Sequence, residues 1–471
     1  MEYNATSTGD RTALVFEGES LSWAELWQKV EPLSRHFADL LGLKEQKVVD
    51  LLLTNSTDFV ITYLAIVHAG HIVLPLDPAY KKLELDAIVD QVPPDLIITS
   101  QRYVDQLGKH RAKTLMVEDL LKKSGKSKNF LRLPAEKQIV SLTFTSGTSG
   151  HPKAVPNTHA NHIWNIDVCS QVWNWTSKDT LLITLPLSHW YGLVMGLTGA
   201  IYHGNTLYLT QQSFKPEAVL EELASGQISL FTHVPLAYIQ MLEVAKTKNY
   251  DLSKVRLCIS GSAPLPPAVW QEFKERFDLE IIETYGSSES GRIAGNTLDE
   301  RGTGSPGKPL PGVEVKLNAR GELLVRSAGL FPGYWNNPEA TAKELDKDGW
   351  WNTSDIAEIV DGKIILKGRK QEKIRRFGYS ISPRDVEWAL LKNKTIREVF
   401  VLGIQGREQL NDRLVYFVVG NISQTELEDY CKKDLPFAWR PDKVIFLKKL
   451  PRSQMGKPQL AKLRDLARVK V

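Results

Sequence analysis

The chain has 471 residues, too many for one ordinary hydrophobic core, so two or more structural units are expected. Apolar residues make up 42% of it and charged residues 24%, as in a globular protein. The formal net charge of +4 is small for this length and gives no argument for a nucleic-acid partner. The three cysteines, Cys169, Cys258 and Cys431, lack metal-ligand spacing, so we expect buried thiols in a reducing compartment.

The sequence predicts no integral membrane segment and no secretory signal. No run approaches the roughly 20 apolar residues that a membrane helix needs. The first residues, MEYNATSTGDR, do not place a basic region before an apolar one. We therefore expect a cytoplasmic location.

Helical and strand patterns alternate in the first part of the chain. SWAELWQKVEPLSRHFADLLGL (22–43) has apolar residues at helical spacing and contains Gly42, a typical helix stop. KVVDLLLTNS then predicts a strand, a helical run ends at Gly70, and HIVLPLDP predicts another strand. The same alternation returns from 181 to 263. Such alternation predicts mainly parallel sheets flanked by helices.

The pattern changes after about Gly321. Short apolar runs separated by turn residues predict a small antiparallel, β-barrel-like region. Beyond Pro383, the runs DVEWALLKN, VFVLGI, RLVYFVV and TELEDYCKKDL predict a compact α+β domain. The expected fold class is α/β, and composition alone allows a domain boundary anywhere from about 305 to 370.

The most informative segment is 142–153, LTFTSGTSGHPK, in which an apolar run changes to small polar residues. Hydroxyl groups donate hydrogen bonds, glycines admit a ligand close to backbone N–H groups, and a lysine adds positive charge. This combination suits a polyphosphate, although flexible surface loops share it. It is not the GxxxxGK(S/T) loop, because the lysine lies three residues after the last glycine. The candidate phosphate residues are Thr145, Ser146, Gly147, Thr148, Ser149, Gly150 and Lys153.

Further segments accompany this loop in a fixed order: AGHIVLPLDP (69–78), TSGTSGHPKA (145–154), TYGSSES (284–290), GELLVRS (321–327), WWNTSD (350–355), GRKQEKIRRFGYSISPRDVE (368–387) and PRSQMGK (451–457). Together they resemble the adenylate-forming superfamily of acyl-CoA synthetases, adenylation domains of peptide synthetases and luciferases. The resemblance covers nearly the whole chain. It implies an adenylation core at 1–368 with the ATP and acyl sites, and a mobile lid at 369–471.

The resemblance also implies where ATP and its metal bind. Glu289 falls on the Mg²⁺ ligand, a hard oxygen donor suited to that cation, although alone it would be taken for a solvated turn residue. Asp355 matches an aspartate that accepts both ribose hydroxyls, and Arg369 matches an arginine that reaches the ribose. The other positions implied for ATP or AMP are the loop residues above and Ser262, Ala263, Pro264, Thr284, Tyr285, Gly286, Ser287 and Ser288.

Two further catalytic residues are implied besides Glu289. Lys457 corresponds to the lysine that bridges the carboxylate and the α-phosphate, where a point charge on a long side chain stabilises developing charge. His189, in LPLSHWYG, matches a gate beside the acyl pocket, which also includes Gly261 and Gly286. By itself, a histidine among apolar neighbours is more often a core residue.

The family transfers its acyl group in a second half-reaction after its small domain rotates. Gln371 lies at the hinge position, where many members have Asp or Lys. Phe377 replaces the first glycine of a frequent Gly-Gly pair beside the pantetheine tunnel, and Gly378 keeps the second. The implied cofactors and co-substrates are ATP, Mg²⁺ and coenzyme A.

The acyl-pocket segments most resemble shorter acyl-CoA synthetases, including those for malonate and o-succinylbenzoate. Malonate enzymes usually carry an arginine five residues after the proline of VPTxYxR, and this chain has Gln240 there. A buried second carboxylate without a cation costs several kcal/mol, which disfavours malonate. We therefore expect an apolar fatty or aryl monocarboxylate, with Arg292 available for a polar group on the substrate.

Three function classes remain open. The first is an ATP-dependent carboxylate–CoA ligase, whose partners are small molecules, with an o-succinylbenzoate-type ligase as a variant. The second is an adenylating enzyme that loads the phosphopantetheine of an acyl carrier protein. The third is a nucleotide-binding scaffold, which the joint presence of Glu289, Asp355, Arg369 and Lys457 disfavours.

Overall fold

The computed structural model describes residues 1–145, 153–211, 214–369, 374–376, 379–405, 412–453 and 456–468. The predicted site residues Ser146, Gly147, Thr148, Ser149, Gly150, Gln371, Phe377 and Gly378 lie outside these ranges. Among the described residues, no helix is both long and apolar enough to cross a membrane.

The strands are, in chain order, β1 Thr12–Phe16, β2 Glu19–Ser22, β3 Val48–Leu52, β4 Ile72–Leu76, β5 Leu96–Thr99, β6 Thr114–Met116, β7 Ile139–Thr145, β8 Lys153–Thr158, β9 Thr180–Ile183, β10 Thr206–Leu209, β11 Leu230–His233, β12 Leu257–Ser260, β13 Ile281–Ser287, β14 Gly291–Gly295, β15 Glu314–Leu317, β16 Glu322–Arg326, β17 Trp351–Val360, β18 Lys363–Arg369, β19 Ile374–Arg376, β20 Tyr379–Ile381, β21 Ile396–Gln405, β22 Asp412–Gly420 and β23 Lys443–Phe446.

The α-helices are α1 Glu2–Ser7, α2 Trp23–Leu41, α3 Thr57–Ala69, α4 Lys82–Gln91, α5 Val117–Leu120, α6 His159–Trp173, α7 Gly199–His203, α8 Pro216–Ala224, α9 Pro235–Ala245, α10 Pro267–Phe277, α11 Pro338–Glu344, α12 Pro383–Leu391, α13 Gln424–Asp434 and α14 Leu460–Arg468. Val104–Lys113 and Phe437–Trp439 form 3₁₀ turns, and Tyr191–Thr198 is π-helical.

Local chemistry explains the first long helices. The Ser22 hydroxyl accepts the Glu25 backbone N–H while the Glu25 carboxylate accepts the Ser22 N–H, and this capping box begins α2. Helix α3 ends at Gly70, whose φ of 100° is the left-handed conformation that favours glycine. A Cβ there would lie 2.3 Å from the Leu131 carbonyl oxygen, so no larger residue fits. The structure confirms the helix and strand predictions for this region.

Two large sheets build the core of the molecule. One has the order β14-β13-β12-β11-β9-β10-β1-β2 and the other β6-β5-β3-β4-β7-β8. Neighbours pair in parallel except at the edges, where β14, β2 and β8 are antiparallel. Parallel strands covered by helices on both faces are buried, which accounts for the fully buried β3 and β4. The chain is therefore α/β, as predicted.

Smaller sheets follow. Strands β15-β16-β17-β18 form the antiparallel sheet expected after Gly321, and β21-β22-β23 form the sheet of the C-terminal domain. This domain has its own core, in which Val386, Leu414 and Leu427 are fully buried. The predicted boundary between 368 and 369 falls at the end of β18 and stays a prediction.

Helix α12 of the C-terminal domain lies against β18. The Ser382 hydroxyl donates to the Lys367 carbonyl at 2.5 Å, and the Arg384 guanidinium donates to the Leu366 carbonyl at 3.1 Å. Farther on, Gly456 contacts the start of α9, since a Cβ on it would lie 3.1 Å from Cγ2 of Val234. The end of the C-terminal domain is thereby placed beside the large eight-stranded sheet.

Candidate active site

The candidate site lies at the carboxyl ends of three adjacent parallel strands, β11, β12 and β13. His233 pairs in register with Ser260, and Ser260 with Glu283. The next residues therefore meet at one edge of the sheet, where open α/β sheets bind ligands. Gly261 continues β12, its N–H donating to the His233 carbonyl at 3.1 Å, and Thr284 lies in β13 with its hydroxyl 3.2 Å from the Ser260 carbonyl.

The predicted ribose residues are brought together from distant parts of the chain. The Tyr285 hydroxyl donates to Oδ2 of Asp355 at 2.5 Å, which joins β13 to β17. Asp355 pairs in register with Arg369 across the β17–β18 ladder. The preceding residue, Ser354, has a φ of 60°, and a bulge follows at Ile356. This irregular backbone orients Asp355 beside Tyr285.

The predicted metal ligand, Glu289, is 8% exposed and follows β13 in a tight turn. Its N–H donates to the Ser287 hydroxyl at 3.1 Å, and its carbonyl accepts the Phe331 N–H at 2.8 Å. The Tyr334 hydroxyl lies 3.2 Å from Oε1 of Glu289 and 2.6 Å from Oε2 of Glu344. Burial, followed by the charge of Glu289, raises the pKa of Tyr334, so its proton stays in place to donate.

Lys153, from the predicted phosphate loop, completes this network. Thr145 and Lys153 pair at the open end of the β7–β8 hairpin, whose connection lies outside the described residues. The Lys153 ammonium forms an ion pair with Glu344 and lies 4.4 Å from the centre of the Tyr334 ring. Sequence motifs missed Tyr334 and Glu344, because neither contact is local in the chain. Their only sequence signal is the aromatic and acidic pair in GYWNNPEATAKE.

His189 lies half-buried before the π-helical turn, its Nδ1 accepting the Tyr191 N–H at 3.2 Å. Burial, and then the charges of Lys457 and Arg292, lower the pKa of His189 to about 3. The histidine is therefore neutral at physiological pH. Both cations, Lys457 and Arg292, therefore act electrostatically on this ring.

The end of the chain carries Lys457 to this position. The Ser453 N–H donates to the Lys457 carbonyl at 2.8 Å, and Arg452 forms an ion pair with Glu398 at 2.8 Å. Gly456, with a φ of 68°, makes the turn that approaches α9. Lys457 is exposed and comes from the C-terminal domain, next to the turn that contacts α9.

An apolar cavity of ≈ 20 Å³ lies beneath the strand ends. Its wall is aromatic and aliphatic, with the guanidinium of Arg292 as its charged group, and consists of Trp173, Trp175, Leu181, Tyr191, Met195, Leu230, Phe231, Thr232, Leu257, Ile259 and Arg292. Gly261 adjoins it, since a Cβ there would lie 2.9 Å from Nη1 of Arg292 and 3.1 Å from Cε1 of Tyr191. The lack of a side chain at Gly261 lets Arg292 and Tyr191 pack directly against the backbone at the strand ends.

Gln240, on which the argument against malonate rested, is exposed on α9. The buried side of that helix consists of Pro235, Ala237, Tyr238, Met241, Leu242 and Ala245. The residue at 240 therefore does not belong to the cavity wall, and its identity does not decide whether a second carboxylate fits there.

The remaining predicted residues occupy the rim. Ser262 has a φ of 68° and is half-buried, as is Ala263, whereas Pro264 is exposed. Gly286, Ser287 and Ser288 are half-buried around the turn after β13. The Ser287 hydroxyl is occupied by local hydrogen bonds within this turn.

Comparisons with known proteins identify the family of the chain. The family model described as AMP-binding enzyme matches residues 1–335, and that of the AMP-binding enzyme C-terminal domain matches 385–457. The mitochondrial malonate–CoA ligase of Homo sapiens is 29% identical over 96% of this chain and 89% of its own length. A long-chain-fatty-acid–CoA ligase of Bacillus subtilis is 28% identical over 95% of this chain and 90% of its own length.

Comparison with solved structures shows that the chain shares the fold of CoA ligases. ATP-bound MatB from Rhodopseudomonas palustris superposes with a TM-score of 0.90 at 25% identity, covering 98% of this chain and 96% of that one. The o-succinylbenzoate CoA synthetase of Bacillus subtilis with its acyl-adenylate has a TM-score of 0.88 at 24% identity, covering 98% and 97%, and shows the shared fold.

Proposed function

Because the chain belongs to the AMP-binding enzyme family and is an AMP-forming acyl-CoA synthetase, we propose that it activates a small carboxylic acid with an apolar body through the residues described above. The observation that carries this proposal is the apolar cavity beside Gly261. The named relatives act on acids as different as malonate and long-chain fatty acids. The cavity, rather than any one relative, therefore supports the choice of a small acid as the substrate.

Two half-reactions are required. A carboxylate oxygen bonds to the α-phosphorus of ATP, the bond to the β-phosphate oxygen breaks, and pyrophosphate leaves. The thiolate of CoA then bonds to the acyl carbon, the bond to the AMP oxygen breaks, and the thiol proton passes to solvent. Both reactants of the first step are anions, so the site must supply cations and alignment.

The residues fit the first half-reaction. Lys457 stabilises negative charge between the carboxylate and the α-phosphate, and neutral His189 borders the acid without adding charge. Asp355 accepts the ribose hydroxyls, with Arg369 beside it in register. When ATP enters, its phosphates attract Lys153 away from Glu344.

Enzymes of this family use Mg²⁺ with ATP, and the residues present fit that ion. Glu289 is a buried carboxylate with an oxygen held by the Tyr334 hydroxyl, and Mg²⁺ is usually held by one or two carboxylates together with phosphate oxygens and water. Bound there, the ion offsets phosphate charge. Tyr334 positions the carboxylate that would hold it.

The thiol acceptor and location are further parts of the proposal. We assign CoA as acceptor, because the named relatives are CoA ligases. An acyl carrier protein remains the second candidate. The cytoplasmic location stays a prediction, since the relatives include mitochondrial enzymes.

The test is carboxylate-dependent ATP–pyrophosphate exchange over a panel of fatty, aryl, dicarboxylic and amino acids, followed by addition of CoA to the best acid. The proposal predicts exchange with a small acid, then thioester and AMP. Exchange that yields no thioester with CoA contradicts the acceptor and indicates a carrier protein. Exchange with long-chain acids alone contradicts the small substrate, and no exchange at all indicates a nucleotide-binding scaffold.

A further inference from the structure

Arg292 is a buried cation in the wall of an otherwise apolar cavity. It is 4% exposed, and its backbone N–H is held by Oδ1 of Asn165 at 2.8 Å. The side chain leaves β14 and reaches the cavity together with Tyr191 and Thr232. A charged side chain in such surroundings requires a compensating partner.

The protein supplies only part of this compensation. Nη1 of Arg292 donates to the Thr284 hydroxyl at 2.7 Å, and the guanidinium lies 4.0 Å from the centre of the Tyr191 ring. A cation–π contact of this kind attracts the cation to the ring but offers no acceptor for its N–H groups. Nε and Nη2 have no hydrogen-bond partner within the part of the chain that the structure describes. Two donors therefore remain for a group from outside the protein.

The free donors are chemically suited to a carboxylate. Nε and Nη2 of a guanidinium form a planar pair that matches two carboxylate oxygens. Gly261, which follows β12, packs against the guanidinium and so places it next to the strand ends, where adenylation is proposed to occur. A substrate with one carboxylate near His189 and another at Arg292 would present the first for adenylation and pair the second with the unpaired donors.

We propose that Arg292 selects a short dicarboxylic acid, whose second carboxylate it binds while the first is adenylated. This inference rests on the proposed function: it keeps the small carboxylic acid and replaces the apolar end of its body with a second carboxylate. The cavity of ≈ 20 Å³ holds a group of a few atoms rather than a long chain, so the two carboxylates are separated by few carbons. The expectation of a monocarboxylate is thereby revised, because it depended on exposed Gln240.

The test compares matched acids that differ only in the terminal group: malonate, succinate and glutarate against propanoate, butanoate and pentanoate. In ATP–pyrophosphate exchange, kcat/KM is measured for each dicarboxylate and for the monocarboxylate of the same length. The readout is the ratio of the first value to the second. The wild type should favour a dicarboxylate. Arg292→Met should reduce this ratio about 30-fold or more, because truncating one partner of a buried charge pair costs that much. Arg292→Lys, which keeps a point charge without the planar pair, should give an intermediate ratio.

This ratio separates a role in specificity from a general structural role, because a damaged fold lowers kcat/KM for both acids of a pair together. Thr284→Val serves as a second variant that leaves the cation in place and removes the hydrogen bond to Nη1, and it should reduce the ratio less than Arg292→Met does. A wild type that prefers the monocarboxylates overturns the inference while leaving the proposed function intact. An unchanged ratio in Arg292→Met overturns it as well. Absence of exchange with every acid in the wild type overturns the proposed function itself.

Discussion

Asp355 is the residue whose role can be separated most cleanly from the rest of the site. A carboxylate that accepts two ribose hydroxyls forms charge-assisted hydrogen bonds, each contributing about 1.5–3 kcal/mol. We expect 2′-deoxy-ATP to lower kcat/KM of the wild type about 10-fold or more. In Asp355→Ala this penalty should disappear, because the acceptor is gone. Glu358→Ala, an exposed position on the same strand, is the matched control and should retain the full penalty. An equal penalty in Asp355→Ala would contradict the assignment.

His189 gives a prediction about pH. Its pKa in the folded protein, about 3, lies below the usual 6.5, so the neutral form stabilises the fold. This contribution is complete above pH 6.5 and is lost as the pH falls from there toward 3. We expect urea unfolding to show that wild type loses about 1–2 kcal/mol more than His189→Phe between pH 7 and pH 5. Equal losses in the two proteins would show that His189 titrates normally.

At the residue scale, the sequence singled out Asp355 and Glu289 through the resemblance, because each lies in a run of residues that the family shares and Glu289 alone would be taken for a turn residue. Their roles stay predictions. Arg292 was noticed only as available for an unspecified polar group on the substrate, and Tyr334 was not noticed at all. Their significance depends on cavity shape and on partners far along the chain, which no local pattern contains.

The hairpin of β13 and β14 presents Thr284, Tyr285 and Arg292, and its backbone is tightly packed. A Cβ on Gly286 would lie 2.0 Å from the Gly291 carbonyl oxygen, a contact that only backbone displacement can relieve. We expect Gly286→Ala to reduce the free energy of unfolding by about 1–3 kcal/mol. Gly302→Ala is the matched control, because a Cβ there has no neighbour within 4 Å. Urea unfolding measures both, and equal effects would contradict this account of the hairpin.

The predictions of helices were confirmed where the spacing of apolar residues and a helix-ending residue indicated the same helix. Helix α2 was expected from its apolar spacing and Gly42, and the structure adds the Ser22 capping box. The argument from Gln240 against malonate came from a motif position alone, and the structure shows this residue exposed on α9. The helical spacing of Ala237, Tyr238 and Met241 already places 240 on the opposite face of α9.

At the scale of the whole molecule, the placement of the C-terminal domain decides which half-reaction the structure serves. Lys457 lies near His189, and α12 contacts β18 through Ser382 and Arg384. This arrangement suits adenylation. Chain length predicted two or more units, and the resemblance implied a core and a C-terminal lid. Their relative position depends on contacts such as that of Gly456 with Val234, which no sequence pattern reveals.

The most direct test of the central claim is to measure the two half-reactions separately in Lys457→Ala. ATP–pyrophosphate exchange should fall about 100-fold or more, because a group that stabilises transition-state charge is removed. Thioester formation from supplied acyl-adenylate and CoA should stay within a few-fold of wild type. Lys462→Ala, an exposed lysine on α14, should leave both reactions unchanged. Equal loss of both half-reactions in Lys457→Ala, or full retention of exchange, would contradict the role of Lys457 and the adenylating arrangement described here.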